Sequence, residues 1–192
     1  HRRNFRRWYN SKPVVQQTVE EKRNADEWIE RYHTFIVPDE EEDATLEWLL
    51  EKMETAVLRH GAEIIVLDPW NEMDHLRERH ENLTEYVGRA IKTLIRFAKR
   101  LQVHLIVVAH PSKMQRDKQS GTYPEPSLYD ISDSAHWYNK AVLGVVVHRI
   151  NRDQTKVKTA KSKYHDVIGS PGSVIMEFCK DDGRFREIEG GD

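Results

Sequence analysis

Two short aliphatic runs, each closed by a side chain capable of chemistry, constrain this 192-residue chain more than any other feature. The first reads Glu63-Ile64-Ile65-Val66-Leu67-Asp68-Pro69, and the second runs from Val103 to Ala109 before His110-Pro111. Continuous apolar strands of this kind belong in a parallel sheet with both faces covered by helices. Between them, Asn82 and Glu85 form a capping-box start to a helix. Its apolar face is Leu83, Tyr86, Val87, Ala90, Ile91, Leu94, Ile95, Ala98 and Leu101. Strand, helix and strand in that order predict a crossover unit with parallel strands. Asp68 and His110 then emerge at one edge of the sheet, where ligands of open α/β folds collect.

Upstream, Leu46, Leu49, Leu50, Met53 and Val57 recur at helical spacing, with Asp43 as the expected cap and His60-Gly61 as the stop. The acidic cluster Asp39–Asp43 reads as a solvated helix start. Thr34–Pro38 predicts a short strand ended by proline. Residues 1–33, basic and aromatic and then polar and helical over Val14–Tyr32, read as the middle of something larger, with 34–192 carrying the main core. Downstream, Lys113–Pro126 is a long polar loop of a kind that often carries function. Ser127–Lys140 predicts a short helix, and Val142–Ile150 and Lys156–Tyr164 predict strands. Ser173–Cys179 and Arg184–Ile188 predict a hairpin closed by Lys180-Asp181-Asp182-Gly183. The fold class is therefore α/β, a mostly parallel sheet flanked by helices with antiparallel C-terminal strands at one edge.

Composition removes several function classes. A formal net charge of −2 confines any nucleic-acid surface to a local patch. Cys179 is the single cysteine, which excludes an internal disulfide and a multi-cysteine zinc module. No apolar run approaches the ~20 residues of a membrane span. No secretory leader is legible either, so a cytoplasmic protein is expected.

An acid after four aliphatic residues has the layout of a strand that holds the hydration shell of a nucleotide-bound Mg²⁺. His110, ending the next strand, is placed to sense a γ-phosphate. The loop after it carries Lys113, Arg116 and Lys118, cations suited to phosphodiester backbones and equally to a solvated surface. Lys161 and Lys163 alternate along one strand and suit either a neighbouring subunit's nucleotide or a lysine-protected sheet edge. No phosphate-cradling G-x-x-x-x-G-K-[ST] loop is present; Gly88–Thr93 only echoes it inside a helix.

The segments Ile64–Met73, Leu105–Lys113, Asp130–Ala135 and Lys161–Lys163, in that order, resemble the DnaB-type replicative DNA helicases. The likeness is to the phage primase–helicase and Twinkle-like group and runs from about Phe35 to Ile188. It implies part of a RecA-like P-loop NTPase core that uses ATP and Mg²⁺ and assembles as a homo-hexamer on single-stranded DNA. By position it implies Asp68 as the metal-holding Walker-B acid, and His110 as the link from γ-phosphate to the DNA loop. It likewise implies Lys161 and Lys163 as catalytic cations reaching a neighbour's nucleotide, and Arg149 and Phe178 as the pair sandwiching adenine. Lys113, Arg116 and Lys118 become DNA contacts.

The resemblance also implies a P-loop and a catalytic glutamate before residue 1. The 192 residues alone are then expected to be inactive, with an apolar edge exposed beside the His110 strand. Two positions depart from the pattern: Lys163 stands where an arginine is usual, and lysine cannot make the same forked contact; Val142 stands where an acid is usual. The expected function is a fragment of an ATP-dependent helicase that unwinds duplex DNA by translocating on one strand. The alternatives are a non-hydrolysing RecA-like DNA-binding or assembly module, and a metal-dependent hydrolase using Asp68, Asp74, His75 and His110.

Overall fold

The computed structural model describes residues 1–40, 42–112, 114–118, 121–131 and 135–188. Chain order is α1 (Arg2–Asn10), α2 (Val19–Tyr32), α3 (Leu46–His60), β1 (Ile64–Leu67), α4 (Leu83–Leu101) and β2 (His104–Val107). Then come α5 (His136–Lys140), β3 (Leu143–Arg149), β4 (Gln154–Ser162), α6 (His165–Ile168), β5 (Gly172–Phe178) and β6 (Phe185–Glu187). The fold is α/β, with β1 and β2 parallel and β3–β4–β5–β6 antiparallel. The two sets form separate hydrogen-bonded sheets rather than one sheet with an antiparallel edge. Beyond β2, where a central strand was expected, no described strand pairs with it.

The crossover helix α4 starts as its sequence dictates. Asn82 accepts from the Glu85 amide, and the Glu85 carboxylate accepts from the Asn82 amide. Tyr86, Val87, Ala90, Ile91, Leu94 and Phe97 bury one face of α4 against Leu46, Leu49 and Met53 of α3 and Ile65 of β1. Because both helices lie on the Ile65 face, only that side of the parallel pair is covered. Ile64 and Val66 remain 63% and 56% exposed, against 9% for Ile65. The expectation of strands buried on both faces is thereby corrected. Thr34–Pro38 is not a strand either, and Phe35, Ile36 and Val37 are exposed with no strand beside them to pair.

Two further boundaries move for local reasons. Helix α3 is capped by Thr45, whose hydroxyl accepts from the Trp48 amide at 3.1 Å, not by Asp43. Of the helix expected over Ser127–Lys140, the described residues form only His136–Lys140, and Ser127 and Asp130 spend their polar groups on a turn, the Asp130 carboxylate accepting from the Ser127 amide and hydroxyl.

The N-terminal helices join the far end of the chain. Arg6 donates to the Asp26 carboxylate at 2.7 Å, tying α1 to α2. The Arg7 guanidinium lies 5.3 Å over the Phe178 ring, and Arg184 lies 5.3 Å over Trp8 while donating to its carbonyl. Residues 1–33 thus pack on the β5–β6 hairpin. Among the described residues, no helix is long and apolar enough to cross a membrane.

Gly144 begins the antiparallel sheet beneath Leu128, where an added Cβ would sit 2.3 Å from the leucine Cδ1. Leu128 is buried, so it has little room to yield. Gly144→Ala is expected to lower stability by about 1–3 kcal/mol, the usual cost of overpacking, read as a lower midpoint in urea unfolding. The Arg6–Asp26 fork predicts an acid response. The guanidinium's hydrogen bond holds the Asp26 carboxyl below its ordinary 3.8. A depressed carboxyl stabilises the fold above its unfolded pKa and loses that contribution as pH falls through the folded one. Wild type is therefore expected to lose more stability than Asp26→Asn on acidification below about pH 4, in paired unfolding curves.

Candidate functional site at the parallel strand ends

The register of the parallel pair settles where Asp68 and His110 lie. Leu67 stands opposite Val107, so the next residues of both strands leave the sheet at the same end. Backbone bonds continue the pairing past the strands: the Val108 amide donates to the Leu67 carbonyl at 2.9 Å, and the Trp70 amide donates to the Val108 carbonyl at 2.8 Å. Asn71 completes the lacing, its Oδ1 accepting from the His110 amide at 2.7 Å. The turn Trp70–Glu72 is anchored from below because Trp70 is buried against His75, Tyr86 and Trp137. Asp68 and His110 are both exposed on this rim.

A hydrated Mg²⁺ carried in on phosphates needs only one or two carboxylates from the protein. One exposed carboxylate at a strand end fits that requirement. Among the described residues, no three His, Cys, Asp or Glu side chains gather as a self-sufficient metal cage. The hydrolase set is dispersed as well. Asp74 accepts from the Ala44 amide at 2.7 Å, and the His75 ring packs 4.8 Å from Trp70.

The segment leaving His110 is pinned at once. Pro111 bridges to Ile131, and the Ser112 amide and hydroxyl both donate to the Asp130 carbonyl. The Asp130 carboxyl is held below its usual range by Ser127. Arg116 and Lys118 are exposed on the loop that follows, and the Arg116 guanidinium lies 4.9 Å over the Tyr123 ring. The Asp117 amide donates to the Thr122 carbonyl, closing the tip. Lys113 and residues 132–134 lie outside the described residues.

Strand β4 carries the other cations. Gly144 pairs with Lys161 but Val145 pairs with Thr159, so Ala160 is an extra residue in a β-bulge. The bulge puts Lys161 on the same side as Lys158 and Lys156. There the Lys161 ammonium donates to the Tyr138 and Asn139 carbonyls near the end of α5. Lys163 is exposed, with its ammonium 5.6 Å over Tyr164.

Arg149 and Phe178 occupy the same face of the antiparallel sheet but stand two strands apart, about 10 Å across it. The guanidinium that covers Phe178 is that of Arg7. Sequence reading missed Arg7, Asn71 and a carboxylate, Glu125, held by two β4 lysines. The capping-type Asn71 three residues past Asp68 was the only local signal among these.

Comparisons with known proteins give the chain's family and fold relatives. Residues 2–116 match the AAA domain family. The Twinkle homolog protein, chloroplastic/mitochondrial, of Arabidopsis thaliana is 37% identical over 183 residues, 91% of this chain and 25% of the relative. A solved structure of a DnaB-like replicative helicase and its interactions with primase matches with a TM-score of 0.72 at 16% identity. That match covers 98% of this chain and 48% of the other. The chain thus spans about a quarter of the curated relative and about half of the solved one. It belongs to the AAA-domain family, is similar in sequence to the Arabidopsis Twinkle homolog, and shares its fold with a DnaB-like replicative helicase.

Proposed function

We propose that these residues form part of the ATPase core of a hexameric, ATP-dependent replicative helicase that translocates on single-stranded DNA. The observation supporting this reading is the laced rim, where parallel pairing and the Asn71 bond bring the segments carrying Asp68 and His110 to the same end of the parallel pair. Residues 1–33 belong to the same core as 34–192, a view supported by the Arg7 and Arg184 contacts between α1 and the last hairpin. The cytoplasmic location expected from the sequence stays part of this proposal; an organellar location belongs to the Arabidopsis relative's name.

Each residue then has a stated task. Bound Mg²⁺–ATP supplies the phosphoryl group to be cleaved. Asp68 would hold the metal through its water shell, and His110, placed where it would meet the phosphate end, lies directly before the loop of Arg116 and Lys118. Motion at that imidazole therefore passes along the backbone to the DNA contacts, to which Lys113 belongs by position. Arg149 and Phe178 hold the base, and Arg7 lies over the Phe178 ring. Of the two cations, Lys163, just past the end of β4, is exposed and placed to cross a subunit boundary, whereas Lys161 on β4 holds α5 in place for it.

In the full-length protein, Asp68→Asn is expected to lower ATP turnover by about 10²-fold or more without changing the unfolding midpoint, in line with losses on removing one charge-stabilising group. Unchanged turnover would leave the non-hydrolysing DNA-binding module as the better reading. The 192 residues alone are expected to show no turnover; a rate in the ~1–100 s⁻¹ range of phosphoryl-transfer enzymes would overturn that. The double change Arg116→Ala with Lys118→Ala is expected to flatten the plot of log affinity for single-stranded DNA against log salt by about 1.4, which is about 0.7 for each phosphate no longer neutralised.

A further inference from the structure

Glu125 has no task in the mechanism so far. It closes the segment that opens at His110 and carries Arg116 and Lys118. Its two carboxylate oxygens divide between two ammonium groups: Lys156 donates to Oε2 at 2.8 Å, and Lys158 donates to Oε1 at 2.9 Å. Both lysines project from the same side of β4, two residues apart, and would repel each other without an anion between them. All three side chains are partly shielded, at 27% to 45% exposure. The Glu125 carboxyl is pushed down to about 2, chiefly by the hydrogen bond from Lys156 and then by that from Lys158. The clasp is therefore charged and closed throughout the neutral range.

Its position matters more than its strength. The start of the segment is fixed to Asp130 and Ile131, and the Glu125 clasp fixes its end to β4. From Lys156 strand β4 advances four register positions to Lys161, about 13 Å, and Lys163 follows just past its end. One strand thus leads to Lys163, the cation assigned to the neighbour's nucleotide, and grips the end of the loop assigned to DNA.

We propose that the Glu125–Lys156/Lys158 clasp is a positioning device that fixes the DNA loop to β4, so that stimulation of ATP hydrolysis by single-stranded DNA depends on it. The inference deepens the helicase reading and rests on it. It gives the loop a second mechanical tie, independent of His110, to the strand facing the adjoining subunit. An ordinary exposed ion pair contributes little and would leave no such trace on activity.

The test uses the full-length protein and three variants: Glu125→Gln, the pair Lys156→Met with Lys158→Met, and the charge exchange Glu125→Lys with Lys156→Glu and Lys158→Glu. ATP turnover is measured with and without an oligothymidylate, together with affinity for that oligonucleotide. Glu125→Gln removes a negative charge beside the loop, so electrostatics alone would tighten DNA binding. The expected result is basal turnover kept within about twofold, stimulation reduced about tenfold, in the range of measured coupling energies, and recovery in the charge exchange. Stimulation kept in Glu125→Gln would overturn the clasp alone, as would a parallel fall of basal and stimulated rates in all three variants. A wild-type protein whose turnover ignores DNA would overturn the helicase reading and the clasp with it.

Discussion

The pairing of β1 with β2 is the constraint from which the site follows. Two strands that run the same way must release their next residues at one end, and four paired positions, all aliphatic on β1 and three of four on β2, fix the register. Backbone bonds from Val108 and Trp70 then carry the pairing beyond the sheet, so the acid and the imidazole cannot drift apart without breaking them. Trp70 supports this from below. Its indole fills the core under the rim, so the site's position and the protein's stability depend on the same buried group.

A few charge-assisted contacts tie together other parts of the molecule. Arg6 to Asp26, Arg7 over Phe178 and Glu125 between two lysines each join segments distant in sequence. Each is partly shielded, and each uses geometry as much as charge: a fork, a ring face, a carboxylate shared by two donors. Such ties add modest stability individually, but they decide which loop and which helix approach the site.

The crossover was legible in the sequence because its signals are local and strong. The Asn82–Glu85 cap, the α4 stripe and the aliphatic runs each predict one element and agree with one another. Asp68 and His110 followed from that unit. Coverage was not legible: Ile64 and Val66 read as buried, yet a run of aliphatics cannot say whether helices flank one face or two. Thr34–Pro38 failed for a related reason, since a strand-like composition needs a partner strand. Glu125, Lys156 and Lys158 left no trace because their meeting depends on a loop returning across some thirty residues to another sheet. Arg7 was equally hidden, since nothing in an N-terminal basic helix announces an aromatic ring near the other end of the chain.

The extra residue at Ala160 has a bearing on how chains of this kind are compared. Spacing along a strand normally tells which side chains are companions, but here Lys158 and Lys161 are companions at a separation of three. An alignment that closes a one-residue gap at Ala160 would swap the sides of every downstream position. It would assign the roles of Lys161 and Lys163 to residues that point the other way. In this strand, identity of function is carried by pairing partners such as Gly144, and counting residues is an unsafe substitute.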